Sequence, residues 1–315
     1  MSSSLATALK HKTINKWGLF LLLSLPLSLV MVVEMLRTDL SAANGVTHMI
    51  AFSVRWAVPL IYLVVAASAL HTLFPGPLSL WLLRNRKYIG LGFAVAMAWQ
   101  GLFIFLISAF FRDYYFDEIF LLRDELEGST GYIFLAAMVA TSFDFGRRHL
   151  SARQWKLLHR SGVYFLWAYP FSVYWWDLFY YPDPQPIDYA FYWGGFLAFA
   201  LRIAAWGKKR EQSAATASSA GGTPLANKVL GGAIVCCGLL AAGTGLRWRE
   251  PVTAFLTAPQ WSENLLLWLP FWPFEPFLPL VLIGLGTLLA TARYRVFTAG
   301  RIRSRTSASG SVAGP

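Results

Sequence analysis

The chain has 315 residues, of which 56% are hydrophobic and 14% are charged. Soluble domains keep about 25% charged residues, so this composition excludes an ordinary soluble protein and indicates a polytopic membrane protein. The formal net charge is +11. We attribute it to loops that face an anionic inner leaflet rather than to nucleic-acid binding.

Eight stretches are predicted to cross the membrane, since a transmembrane helix needs about 20 mainly apolar residues. We therefore expect an all-α, polytopic membrane bundle in which a six-helix core is followed by two C-terminal helices. The fourth stretch is short, and prolines interrupt the start of the last. The predicted spans are Trp17–Leu36, His48–Leu70, Tyr88–Phe111, Gly131–Phe145, Trp155–Trp176, Tyr189–Ala205, Val229–Leu246 and Pro276–Ala292.

The stretches outside these spans divide the chain. Repeated prolines between Pro251 and Glu275 would break a helix several times, so we expect an interfacial or re-entrant segment there. A Ser/Ala/Gly-rich stretch predicts a linker. The expected organisation is a cytoplasmic N-terminus at 1–16, the main bundle at 17–210, the linker at 211–227, a C-terminal helix pair with its interfacial segment at 228–295, and a disordered cytoplasmic tail at 296–315.

The loops alternate in charge, and this alternation predicts the orientation. Lysine and arginine are concentrated before the first and third spans, between the fourth and fifth, and after the sixth and eighth. With eight spans all of these loops lie on one side, and the positive-inside rule then places both termini in the cytoplasm. The opposite loops are acidic, as in RDYYFDEIFLLRDELEG.

Polar side chains near the outer end of the bundle are the first candidate functional residues, because a polar group in hydrocarbon needs a partner or a function. Glu34 and Arg55 lie at compatible depths on neighbouring spans. They are predicted to form a buried ion pair; in the alternative, Arg55 holds an anion. His48 either lines the same outer cavity or is an interfacial polar residue.

Three further candidates lie deeper in the chain's spans. Met97 and Gln100 are at mid-depth in the third span, and His159 lies near the inner end of the fifth. Met97 alone is typical of a packing residue, and His159 alone is typical of an interfacial histidine. The adjacent Cys236 and Cys237 suggest neither a disulfide framework nor a zinc site. Small residues across Gly231–Gly245 predict close helix packing, with an oligomer interface as the second interpretation.

Three sequence blocks resemble one known family. The block AFSVRWAVPLIYLVVAASALHTLFPGP contains Arg55, LLRNRKYIGLGFAV leads into the third span, and TSFDFGRRHLSARQWKLLHRSGVYFLW contains His159. In this order and spacing they resemble the ferric-reductase-like transmembrane domain family, bacterial six-helix membrane proteins that carry haem b. The resemblance covers roughly His48 to Trp176. It implies a bacterial inner-membrane bundle with a central cavity among spans two to five.

The resemblance also implies where haem ligands would lie. The family's third-helix histidine positions correspond to Met97 and Gln100, and its fifth-helix positions to His159 and Ser172. Only His159 is a histidine, and glutamine is a poor ligand for haem iron. We therefore predict a divergent member without a bis-histidine haem. Arg55 stands where the family's second helix has an arginine.

Two functions stay open at this point. The first is a haem-free or haem-depleted membrane protein that acts as a partner of another membrane or redox protein, or binds a small amphiphile. The alternative is transmembrane electron transfer, an oxidoreductase role, through a b-type haem held by His159 and a non-histidine ligand such as Met97. No flavin or nicotinamide motif is present in the sequence. An electron donor would therefore be another protein or a diffusible flavin.

Overall fold

The computed structural model describes residues 7–216, 222–262, 265 and 269–293. The described part is all-helical, with 84% of residues in helices and no strands. Its longer helices are α1 Trp17–Arg37, α2 Ala43–Leu73, α3 Pro77–Phe110, α4 Leu122–Ala140, α5 Ala152–Phe179, α6 Pro186–Thr216, α7 Leu225–Gly243, α8 Gly245–Leu256 and α9 Leu278–Ala290. Short helical turns at Lys12–Ile14, Arg112–Tyr114, Tyr115–Ile119, Asp144–Arg147, Pro259–Ser262 and Glu275–Phe277 connect them.

Four of the described helices are long and apolar enough to cross a membrane: α1, α2, α3 and α7. The chain is therefore a polytopic helix bundle suited to a membrane, although four of the eight predicted spans do not reach the same length and hydropathy. Two of these four, in α5 and α6, are rich in Trp and Tyr, which score low in hydropathy. Trp175 and Tyr192 are nevertheless fully buried in the core, as amphipathic rings allow.

Several predicted boundaries are corrected by the structure. α4 begins at Leu122 and ends at Ala140, whereas the fourth span was expected at Gly131–Phe145. Phe143 adopts an extended backbone before the short helix Asp144–Arg147, so the helix cannot continue to Phe145. The linker expected at 211–227 is shorter at both ends, because α6 continues to Thr216 and α7 begins at Leu225. The tail expected at 296–315 lies outside the described residues.

α2 is the central helix of the bundle and packs against α3, α6 and α5. Aromatic side chains then join α5 to α6. The Trp167 ring stacks on Phe199 at 4.3 Å between centroids, and Phe171 stacks on Tyr192 at 5.7 Å. The Trp167 indole nitrogen donates to the carbonyl oxygen of Gly195 at 3.0 Å, which satisfies this buried polar group.

α7 and α9 pack against each other through glycines. A Cβ added at Gly231 would lie 2.6 Å from the carbonyl oxygen of Gly286, and one at Gly286 would lie 2.6 Å from that of Gly231. Such backbone approach is typical of small-residue interfaces. The predicted close packing of Gly231–Gly245 is thus present within the chain. The face of α7 that carries Gly231 is covered by α9. An oligomer interface on the remaining faces of α7 stays a prediction.

The proline-rich segment is partly helical, contrary to expectation at its start. α8 continues through Pro251 to Leu256. Further along, the backbone N–H of Phe271 donates to Glu127 Oε1 at 2.9 Å, and the Phe271 ring lies 5.0 Å from that of Phe165. The segment therefore docks on α4 and α5 beside the cavity described next.

Candidate functional site

The two ends of the core bundle carry opposite charge. We call one the acidic end: it is the α3–α4 connection and the start of α4, with the carboxylates Asp113, Asp117, Glu118, Asp124 and Glu125. The other is the basic end, formed by the first part of α3, the turn from α4 to α5 and the first part of α5, with Arg84, Arg86, Lys87, Arg147 and Arg160. Each end opens into a separate cavity.

The central cavity lies among α2, α3, α4 and α5 and opens toward the acidic end. Its volume is about 340 Å³, within the range of roughly 300–1,000 Å³ that small-molecule sites occupy. Most of its wall is apolar, from residues such as Val58, Ile104 and Leu135. Met97 and Gln100 both line it, so the structure brings two predicted site residues together in a cavity among helices two to five.

Gln100 provides the polar centre of the central cavity. The Tyr132 hydroxyl donates to Gln100 Oε1 and to the carbonyl oxygen of Met97, each at 3.1 Å. No described residue accepts a hydrogen bond from the Gln100 amide nitrogen. The nitrogen of this cavity-lining amide therefore has no described protein partner, and a ligand oxygen could accept from it.

The mouth of the central cavity is acidic. Asp124, Glu125 and Glu127 line it. Of these three carboxylates only Glu127 forms a salt bridge, with Arg123 Nε at 3.1 Å. The Tyr115 hydroxyl donates to Glu125. Burial, together with the hydrogen bond and negative charge of Glu125, raises the pKa of Tyr115 to about 12. An anionic ligand would be repelled at this mouth, whereas a neutral or cationic one would not.

His159 lies in the other cavity, at the basic end. This basic cavity, lined by α2 through α6, has a volume of about 700 Å³. His159 Nε2 is 3.0 Å from the Thr141 hydroxyl, and its ring packs on Trp155 with centroids 4.4 Å apart. The two cavities share wall residues, among them Phe93, Leu135 and Leu166, which separate His159 from Met97 and Gln100.

The predicted Glu34–Arg55 ion pair is wrong. Glu34 Oε1 instead lies 3.0 Å from His48 Nε2. Arg55 is exposed and forms no salt bridge with any described carboxylate. The reason is depth: Arg55 lies seven residues beyond His48 on α2, about 10 Å along the helix axis. His48, near the start of α2, is the residue level with Glu34 at the end of α1. His48 accordingly lies at an exposed contact between α1 and α2 and does not line the central cavity described above.

The residues at the implied haem-ligand positions do not fit a haem with two axial ligands. Met97 and Gln100 line the central cavity, while His159 lines the basic cavity and is engaged by Thr141. Ser172 lines neither, and its hydroxyl donates to the carbonyl oxygen of Tyr169. Within the described residues, no group of three or more His, Cys, Asp or Glu side chains could hold a metal ion. The haem-free expectation itself stays a prediction.

Sequence reasoning missed Arg202, a half-buried cation among the helices. It belongs to α6 and lines the basic cavity. Its guanidinium donates to the Tyr164 hydroxyl at 3.0 Å, to the Val65 carbonyl oxygen at 3.0 Å and to the Ser68 hydroxyl at 3.2 Å. The signal was available, because Arg202 is a charged residue inside the predicted span Tyr189–Ala205.

Comparisons with known proteins give no family. No family model matches the chain, and searches of characterised proteins and of solved structures found no significant match. The likeness to the ferric-reductase-like family therefore rests on the three sequence blocks alone.

Proposed function

We propose that this chain is an integral membrane protein that binds a small, uncharged amphiphile in the central cavity. The observation that carries the proposal is the Gln100 amide, which lines a mostly apolar part of the cavity and whose nitrogen has no described protein partner. A ligand with one acceptor oxygen and an apolar body would satisfy both features. The acidic mouth disfavours an anionic amphiphile.

The membrane arrangement is part of the same proposal. Eight spans, with both termini in the cytoplasm of a bacterium, would place the basic end inside and the acidic end outside. The central cavity would then lie within the outer half of the bilayer. Its scaffold would descend from ferric-reductase-like proteins that have lost their haem ligands. No described contact favours electron transfer through His159.

The proposal is tested with a photoreactive decanol that carries a diazirine on its chain. Irradiation of membranes containing the protein should label peptides of α3 and α4 next to Gln100 and Tyr132, and excess unlabelled decanol should remove the label. Labelling that is absent from these helices, or that decanol does not compete, would contradict the proposal.

Two variants sharpen the test. Gly131→Leu fills the cavity, because a Cβ there meets only ordinary contacts at 3.7 and 3.8 Å and the rest of the side chain enters the cavity. Gly232→Leu is the matched control, since a Cβ at Gly232 meets nothing within 4 Å and Gly232 lies on α7 away from the cavity. The first change should abolish competed labelling, and the second should leave it intact.

Gln100→Leu tests the polar half of the proposal. A neutral hydrogen bond contributes about 0.5–1.5 kcal/mol, so competition by decanol should weaken roughly two- to tenfold. Competition by decane, which has no acceptor oxygen, should not change. Equal effects on competition by decanol and by decane would show that Gln100 does not bind the ligand oxygen.

A further inference from the structure

The basic cavity has an imbalance of charge that the central cavity does not explain. Seven Lys or Arg side chains line it, together with His159, and the sole carboxylate among its lining residues is Asp144. Asp144 is exposed, and it forms no salt bridge with any described residue. The cavity is therefore strongly cationic and lacks internal neutralisation.

Membrane orientation by itself explains the position of some of these cations, but not that of Arg202. Arg84 and Lys87 are exposed, as expected of loop-proximal residues that face an anionic leaflet. Arg202 instead projects from the middle of α6, is half-buried, and contacts only neutral acceptors on α2 and α5. A cation removed from water is costly unless an opposite charge accompanies it.

Arg86 and Arg147 converge on the same space. Arg86 is half-buried on α3, and it forms no hydrogen bond with any described residue. Arg147 uses one nitrogen to bind the carbonyl oxygen of Leu150 at 2.8 Å, and its guanidinium stacks over Trp155 at 5.1 Å. Arg86, Arg147 and Arg202 thus bring guanidinium groups from three separate segments to one cavity. An anion among them would remove their mutual repulsion.

We propose that the basic cavity binds a phosphate group, held by Arg86, Arg147 and Arg202. Guanidinium groups bind phosphate oxygens through paired, charge-assisted hydrogen bonds, and basic pockets between helices are known to accept phosphate headgroups. The cavity, at about 700 Å³, has room for more than the phosphate alone. The phosphate could belong to a phospholipid headgroup or to a soluble phosphate ester. This site is distinct from the decanol site and has the opposite charge.

The test is a titration of the full chain in a maltoside detergent, followed by native mass spectrometry. Three probes are compared: phosphatidic acid, diacylglycerol of the same chains, and glycerol 3-phosphate. Saturable binding of phosphatidic acid but not diacylglycerol supports a lipid source, and saturable binding of glycerol 3-phosphate supports a soluble one. Failure of both phosphate probes to bind overturns the proposal.

Variants locate the binding. Arg202→Gln and Arg147→Gln should each weaken phosphate binding at least tenfold, while Arg202→Lys should recover part of the loss. Arg153→Gln is the matched control, because Arg153 is exposed beside the cavity and does not line it; it should change binding less than twofold. If Arg202→Gln does not fold, Arg86→Gln replaces it.

If Arg153→Gln weakened phosphate binding as much as the cavity variants do, binding would depend on general surface charge rather than on the cavity. That result would overturn the proposal. Photolabelling by the diazirine decanol should be unchanged in Arg147→Gln. The phosphate proposal and the amphiphile proposal can therefore fail independently.

Discussion

Asn85 connects the residues just before α1 to α3 through side-chain hydrogen bonds. It is 1% exposed; its Oδ1 accepts from the backbone N–H of Lys16 at 2.8 Å, and its Nδ2 donates to Asn15 and to the carbonyl oxygen of Trp81. Lys16 has a positive φ of 52°, a strained conformation for a residue with a Cβ. The bond from Asn85 stabilises this conformation where α1 begins.

Asn85→Ala should therefore destabilise the protein by about 1–3 kcal/mol, the cost of leaving buried polar groups without partners. The free energy of unfolding in detergent is the measurement. Asn44→Ala is the control, because Asn44 is exposed and makes one side-chain hydrogen bond, to Tyr114; it should cost well under half as much. Equal costs would show that Asn85 does not organise the start of α1.

Tyr115 predicts a pH dependence at the acidic end. Its pKa is raised to about 12, whereas an unfolded tyrosine titrates near about 10. Between these values the unfolded chain has released the proton and the native protein has kept it, so stability falls as pH rises.

The stability that wild type has over Tyr115→Phe should thus vary little between about pH 7 and about pH 10. It should decline by about 1–2 kcal/mol as the pH rises to about 12, less than the full shift in pKa because solvent screens the interaction with Glu125. Detergent unfolding at a series of pH values measures the difference. A difference that does not vary with pH would contradict the raised pKa.

At the residue scale, the sequence predicted which side chains were unusual better than it predicted their partners. Gln100 and Met97 do line a cavity. Gln100 could be singled out from the sequence because an amide at mid-depth in an apolar run is unusual. The Glu34–Arg55 pair failed because the two residues are not at the same depth: Glu34 is level with His48, about two helical turns before Arg55 on α2. Arg202 could have been found by the same search that selected Arg55.

At the element scale, the pairing of α7 with α9 depends on glycine. A larger side chain at Gly231 would meet the backbone of α9 at 2.6 Å, and a backbone cannot move aside as a flexible side chain can. Gly232, the next residue, faces open space. This neighbouring pair offers the same substitution in two environments.

Gly231→Leu should separate α7 from α9 and destabilise the protein by about 2 kcal/mol or more, as overpacking in a close interface does. Gly232→Leu should be within about 0.5 kcal/mol of wild type, as expected of an exposed site. Thermal unfolding in detergent compares them. Matching losses would indicate a general intolerance of bulk on α7 rather than a specific interface.

Helix boundaries were predictable where a long apolar run filled the whole helix, as in α1. They were less predictable where the helix extends beyond its apolar run into charged residues. The start of α4 carries Arg123, Asp124, Glu125 and Glu127, yet it is helical from Leu122. Periodicity of apolar residues cannot mark such an end, because the helix extends beyond its apolar part. The same reason explains why α6 continues to Thr216 past its basic residues.

At the scale of the whole molecule, the orientation of the bundle is the first prediction. In a background of Cys236→Ser and Cys237→Ser, single cysteines replace Asp124, Ala214 or Ser307. A membrane-impermeant maleimide added to spheroplasts should label the variant at 124 and should label those at 214 and 307 only after lysis. The opposite pattern, or labelling of 214 and 307 from opposite sides, would remove the eight-span arrangement.

We infer that α2 to α5 enclose a ligand cavity around Gln100. Cryo-electron microscopy of the protein extracted directly into native-lipid nanodiscs would show such a ligand. We expect a non-protein density elongated along the cavity, with one end within hydrogen-bond distance of the Gln100 amide nitrogen and with Phe93 and Leu166 closing it toward the basic end. Side chains that fill this space, leaving no cavity and no extra density beside Gln100, would contradict the claim.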